Sequence, residues 1–202
     1  LQDILDQVGW EREKLINYRL DDEKAFQVLN DEKYAGIFQF EGYALQSLTR
    51  QMKIANFEDV ASITALARPG PLNSGGTTQY IKRRVGESPT EYLHPLTQEI
   101  TEVTFGVVVY QEQVMNIARD VGKLSWEDVS QLRKAMSKSY GEEFFDRYWQ
   151  RFKVGAEQNG IEEDQALTIW KNINTMGSWA FNRSHAIAYG MVSYWCCVLK
   201  SK

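Results

Sequence analysis

Asn182, Arg183, Ser184 and His185 stand together between the aromatic pair Trp179 and Phe181 and the apolar run Ala186 to Leu199. Asn and Ser are favoured helix N-caps, so a long apolar helix is expected to begin here. Its first-turn N–H groups, with a guanidinium and an imidazole beside them, suit a phosphate. The bland reading is a polar helix start with a structural histidine. A second cationic stretch runs from Gln131 to Lys138. With Leu132 and Met136 buried, Lys134 and Lys138 share an exposed face at i, i+4, and Arg133 lies beside it. Like charges at that spacing repel, and a bound anion relieves them; the alternative is a solvated face on which Glu142 answers Lys138.

Three further stretches have weaker chemical content. RPGPLNSGG, residues 68–76, sets Arg68 before a proline bend and loose glycines whose backbone N–H groups suit an anion, or serves as a plain helix-to-helix connection. Lys82, Arg83 and Arg84 form a basic cluster that contacts phosphate or is simply solvated. In YQEQVM, residues 110–115, Glu112 suits the positive end of a helix dipole, and that role suffices for it. No clear metal cage is visible: His94 stands alone beside Pro95, and Cys196 and Cys197 are adjacent, so they offer neither a ligand spacing nor an easy bridge. The dinucleotide, P-loop and nucleophile-elbow signatures are missing.

The elements that must position these residues read as mostly helical. All four prolines lie between 69 and 95, which leaves the second half free to form helices. Apolar residues recur at i, i+3, i+4, i+7 from Val114 to Val121, from Phe145 to Phe152 and from Ala166 to Ile173, one helix face each. Leu1, Ile4, Leu5 and Val8 suggest a further helix. Caps are expected at Asp21, at Asn56 with Asp59, and at Ser125 with Asp128; stops are expected at Asn159-Gly160 and Gly177. GIFQF (36–40) and GVVVY (106–110) read as strands. The expectation is a mainly α domain with a small β element, undivided or split into 1–95 and 96–202.

With 202 residues and 43% hydrophobic content the chain can bury a real core. The run from Ala186 falls short of the ~20 apolar residues that span a bilayer, so no membrane span is expected, and two adjacent cysteines without an easy bridge favour a reducing cytoplasm. Net charge is -4, against a free-standing nucleic-acid binder. Yet residues 60–86, 129–141 and 165–202 hold no acid and carry +11, against -15 for the remainder. If folding joins them, one face is positive. The chain opens at Leu1 without a methionine and stops directly after an apolar run, which reads as a piece of something larger.

Taken in order, GIFQFE, ALARPGPLNSG, YQEQVM, LRKAM and FNRSHAIAY resemble the alpha subunit of bacterial DNA polymerase III, the replicative polymerase of family C, over nearly the whole chain. The matching region of that family is the fingers domain. The resemblance implies a largely helical fragment that closes over the incoming dNTP and the primer-template DNA. It places the catalytic aspartates and their Mg²⁺ in a palm upstream, so no catalytic or metal residue is expected in this chain and the fragment alone should be inactive. Carried over by position, Arg133, Lys134, Asn182, Arg183, Ser184 and His185 are the expected triphosphate contacts, with Arg68 shaping the pocket. Lys82, Arg83, Arg84 and Lys138 are expected along the nucleic-acid backbone, and other replicase subunits are expected as partners of the parent.

Two departures stand out. After LRKAM the family continues with Gly and two lysines, whereas here Ser137, Lys138 and Ser139 follow; before the Asn it has Tyr-Gly-Phe, whereas here Trp179, Ala180 and Phe181 stand. The competing reading is a helical protein-interaction module without a catalytic role, its acidic remainder facing a basic partner. A hydrolase pairing His185 with Glu112 has no support in the spacing.

Overall fold

Asn56 is extended, its side chain accepts from the Asp59 N–H, and Asp59 returns the bond to the Asn56 backbone. That capping box starts a helix where the sequence places one, and most of the expected helix signals are realised in the same way. The computed structural model describes residues 2–138 and 142–202. In chain order these form α1 (Gln2–Val8), α2 (Arg12–Ile16), α3 (Glu23–Asn30), α4 (Tyr43–Met52), α5 (Phe57–Leu66), α6 (Pro69–Asn73) and α7 (Gly76–Arg84). There follow α8 (Pro95–Thr101), a 3-10 turn (Glu102–Thr104), α9 (Gln111–Asp120), α10 (Trp126–Lys138), α11 (Glu142–Asp146), α12 (Trp149–Gln158), α13 (Glu163–Gly177) and α14 (Arg183–Lys200). Contacts divide the chain into two units, Leu1–Ala67 with Ser184–Lys202, and Arg68–Arg183. The boundaries between these units fall at 67/68 and 183/184.

The first unit is completed by a helix from the far end of the chain. Tyr194 of α14 is 1% exposed. Its hydroxyl donates to the Arg19 carbonyl (2.8 Å) and accepts from the Asp22 N–H (3.1 Å), while its ring meets Phe26 and Phe57. Gly190 lets α14 lie close to α5, since a Cβ there would stand 3.3 Å from Ala61 Cα. Asp22 caps α3 through Lys24 N–H, one residue later than the expected Asp21. The Tyr18 hydroxyl, the Lys24 N–H and Lys202 together hold its carboxyl below the usual range against the opposing effect of burial. Cys196 and Cys197 are free thiols, and burial pushes Cys197 up to about 12.

The second unit packs α9, α10, α12 and α13 through the apolar faces read from the sequence. Ile117, Leu132, Phe152, Ile169 and Ile173 have no exposed surface, and the Phe152 and Trp170 rings lie 4.9 Å apart. Burying each such side chain stabilises by roughly 1.5–3 kcal/mol. The closest approach uses two glycines: a Cβ on Gly155 of α12 would collide with the Gly122 carbonyl, and one on Gly122 would collide with the Phe152 ring. The face expected as one helix from Phe145 to Phe152 is instead divided between α11 and α12, with a turn closed by Tyr148 N–H to the Phe145 carbonyl.

Neither expected strand forms among the described residues. Positive φ at Gly36 (74°) and Gln39 (65°) folds GIFQF into consecutive turns. In GVVVY the Val109 and Tyr110 N–H groups are taken by the Gln113 side chain, and what remains is one parallel bridge between Tyr110 and Phe181. The expected pairing of Lys138 with Glu142, the departures at Ser137 and Ser139 and the start of α1 at Leu1 involve side chains or residues outside those described. Among the described residues no helix is long and apolar enough to cross a membrane.

Candidate functional site

Trp179 to Arg183, the link between α13 and α14, gathers three of the expected site residues within the second unit. Phe181 exchanges backbone bonds with the residues that flank its bridge partner Tyr110: its N–H donates to the Val109 carbonyl (3.0 Å) and its carbonyl accepts from Gln111 N–H (2.9 Å). Arg68, at the N-cap of α6, donates from Nη2 to the Trp179 carbonyl (2.6 Å) and lies 4.3 Å over the Phe181 ring. Its guanidinium is half-buried, and that burial pulls its pKa below the usual arginine value. A charged donor on a carbonyl, with an aromatic face beneath it, orients the segment more firmly than a neutral pair.

Trp179 lies where RPGPLNSGG gives way. A Cβ on Gly70 would stand 2.6 Å from Trp179 Cβ, and one on Gly76 would stand 3.0 Å from the indole edge. These two glycines make room for an indole. The family's usual Tyr-Gly pair is here Trp179 with Ala180, the latter 8% exposed.

Glu112 has a larger part than its own helix dipole. One carboxylate oxygen accepts from Asn182 Nδ2 and the other from the Arg183 backbone N–H, both at 2.9 Å. The first N–H of α14 thus already faces a carboxylate, and the Arg183 guanidinium lies 5.6 Å over the Tyr110 ring. Asn182 acts as the donor to that carboxylate and does not stand free at the helix start.

Gln113 beside it is buried and saturated. Its Oε1 accepts from Val109 and Tyr110 N–H, and its Nε2 donates to the Ile100 carbonyl and to Thr104 Oγ1 (2.7 Å). Sequence reasoning placed Glu112 in the first turn of α9 but missed its tie to Asn182 and Arg183, and it assigned no role to Gln113. The signal was available for Gln113, which lies one turn before Ile117 on the apolar face of α9; nothing local announces the long-range partner of Glu112.

The remaining candidates fall on other elements. Ser184 and His185 belong to the first unit and are exposed on the first turn of α14, with the His185 ring 4.0 Å from that of Tyr189. Arg133, Lys134 and Lys138 are exposed on α10, and Lys134 forms no ion pair among the described residues. On α7 the three adjacent cations differ. Lys82 is exposed, Arg84 is half-buried, and Arg83 has a side chain only 8% exposed. Arg83 donates to the Glu91 and Phe105 carbonyls, both at 3.0 Å, which makes it a strap between α7 and the chain that follows. Of the eleven basic residues in the acid-free stretches, nine lie in the second unit.

Among the described residues no group of three His, Cys, Asp or Glu is placed to hold a metal.

Fold and site together define a mainly helical domain whose cations lie on helix faces and helix starts. The family described as bacterial DNA polymerase III alpha subunit finger domain matches residues 1–160. The chain is 36% identical over 182 residues to DNA polymerase III subunit alpha of Aquifex aeolicus, and 39% over 182 residues to that of Chlamydia trachomatis. It is 38% identical over 180 residues to that of Staphylococcus aureus. These matches take in 89–90% of the chain and 14–17% of the relatives, so it spans about a sixth of the curated relatives' length. The chain belongs to the finger-domain family of the bacterial DNA polymerase III alpha subunit.

Proposed function

We propose that this chain is the nucleotide-contacting fingers part of a DNA-directed DNA polymerase acting in the cytoplasm during DNA replication, and that it receives the triphosphate of an incoming dNTP over a primer-template. The observation that carries the reading is the α10 face, where Arg133 and Lys134 are adjacent and solvent-facing. Two cations on one rigid helix neutralise phosphate oxygens and hold the nucleotide in place while its bond to the leaving pyrophosphate is broken. Arg68 and Glu112 act one step behind. They fix Trp179 to Arg183, the link that leads into α14. The Mg²⁺ ions that nucleotidyl transfer needs are, on this reading, held by residues outside this chain, which alone does not polymerise.

The test is single-nucleotide incorporation by the full-length polypeptide that carries this chain. Replacing Arg133 or Lys134 by Ala removes a charge-assisted contact worth about 1.5–3 kcal/mol, so the KM for dNTP is expected to rise by tenfold or more with the circular dichroism spectrum unchanged. Unaltered KM and kcat in both variants reject the assignment.

One observation favours a second reading, a protein-interaction surface for other replicase subunits. The first unit has a cleft of ≈450 Å³ lined by Ile4, Ile37, Phe38, Val192 and Trp195, with Ile4, Phe38 and Val192 exposed. A Phe38→Asp variant that keeps all of its subunit contacts counts against it.

A further inference from the structure

The basic cluster on α7 is resolved by the fold into a builder and a reader. Arg83 is the builder. Its Nη1 donates to the Glu91 and Phe105 carbonyls and its Nη2 stands 3.6 Å from the Glu91 carboxylate, which fixes residues 88–91 alongside α7. Between them lies a cleft of ≈470 Å³ lined by Thr78, Gln79, Lys82, Arg83, Ser88 and Glu91. Lys82 is exposed, and among the described residues its ammonium has neither an ion pair nor a hydrogen bond.

We infer that this cleft binds one phosphodiester of the DNA backbone, with the Lys82 ammonium on the phosphate and the Thr78, Gln79 and Ser88 side chains supplying neutral donors. The inference rests on the polymerase reading above and names a second, separate contact for it. Charge selects the ligand. Lys82 and Arg83 contribute two positive charges and Glu91 one negative, which leaves a single positive charge to match the single negative charge of a phosphodiester. A triphosphate would meet the Glu91 carboxylate with several charges unmatched. The lining also selects: no aromatic ring faces the cleft, so a base has nothing to stack on and the contact is blind to sequence.

The experiment measures the affinity of the full-length polypeptide for duplex DNA as a function of salt, together with the KM for dNTP, in wild type, Lys82→Gln and Lys82→Arg. One phosphate contact corresponds to about 0.9 in the slope of log K against log salt, so Lys82→Gln is expected to lower the slope by about that amount. Its deficit against wild type should shrink about 3.5-fold between 50 and 200 mM salt, equally on duplexes of unrelated sequence. Lys82→Arg keeps the wild-type slope, and the KM for dNTP is unchanged throughout. Equal slopes in wild type and Lys82→Gln overturn the cleft. A raised KM with an unchanged slope overturns the phosphodiester and assigns Lys82 to the nucleotide. A reduced slope alongside Arg133→Ala and Lys134→Ala variants of normal KM rejects the triphosphate assignment alone, while a wild type that does not bind DNA rejects both.

Discussion

Around residues 179–183 the second unit turns its charges on itself, whereas on α10 Lys134 is exposed and forms no ion pair among the described residues. Arg68 is committed to a carbonyl and a ring, and Glu112 to an amide and a backbone N–H. Arg133 and Lys134 lie exposed on a helix whose other face holds Leu132, Ala135 and Met136 in the core. Both stretches carry polymerase motifs of the same residue types. The difference teaches that a motif residue is either spent on fixing backbone, as Arg68 is, or left exposed on a helix face, as Lys134 is. Burial and partners separate the two cases where the sequence does not.

The comparison breaks first, and with the largest effect, at Arg68. Arg68→Ala removes a charged hydrogen bond and a cation–ring contact, and a loss of about 2–4 kcal/mol is expected by urea denaturation. Loss of incorporation activity should accompany it. A variant as stable as wild type would mean that Arg68 only touches ligand. Glu112→Gln comes next, because an amide can accept from only one of the two donors and carries no charge at the start of α14. About 1–2 kcal/mol is expected, with a downfield or upfield change confined to Asn182 and Arg183 in amide NMR spectra. Arg83→Ala should cost about 1–3 kcal/mol by leaving two carbonyls without their donor, while Lys82→Ala stays within about 0.5 kcal/mol of wild type. Equal melting curves for the two would erase the distinction between strap and reader. Lys134→Ala sharpens the contrast from the other side: stability within about 0.5 kcal/mol, with the whole effect in the KM for dNTP.

Much of the helical framework was legible because it is written locally. Three-four spacing of apolar residues places α9 and α13, and the Asn56 with Asp59 pair places the start of α5 to the residue. The strands were misread because apolar β-branched runs announce burial and not partners. Val107, Val108 and Val109 are buried, yet the N–H groups of Val109 and Tyr110 go to a glutamine side chain. The candidate site was legible as composition only. Which of Lys82, Arg83 and Arg84 is a strap depends on the Glu91 and Phe105 carbonyls, and the carboxylate that meets Arg183 comes from 71 residues upstream. Such pairings are set by tertiary packing, which no window of sequence contains.

The return of α14 to the first unit also dictates an order of events during synthesis. The seats for Gly190, Ser193 and Tyr194 are made by residues before Ala67, but the helix that fills them emerges only after all of the second unit. At about 5–20 residues per second the first five helices wait roughly 6–25 s with that apolar surface open, a window in which a chaperone competes with the missing helix. A chain ending at Arg183 should therefore show protease-sensitive residues 2–67 beside a resistant second unit, and equal resistance of the two would mean that the early helices do not wait.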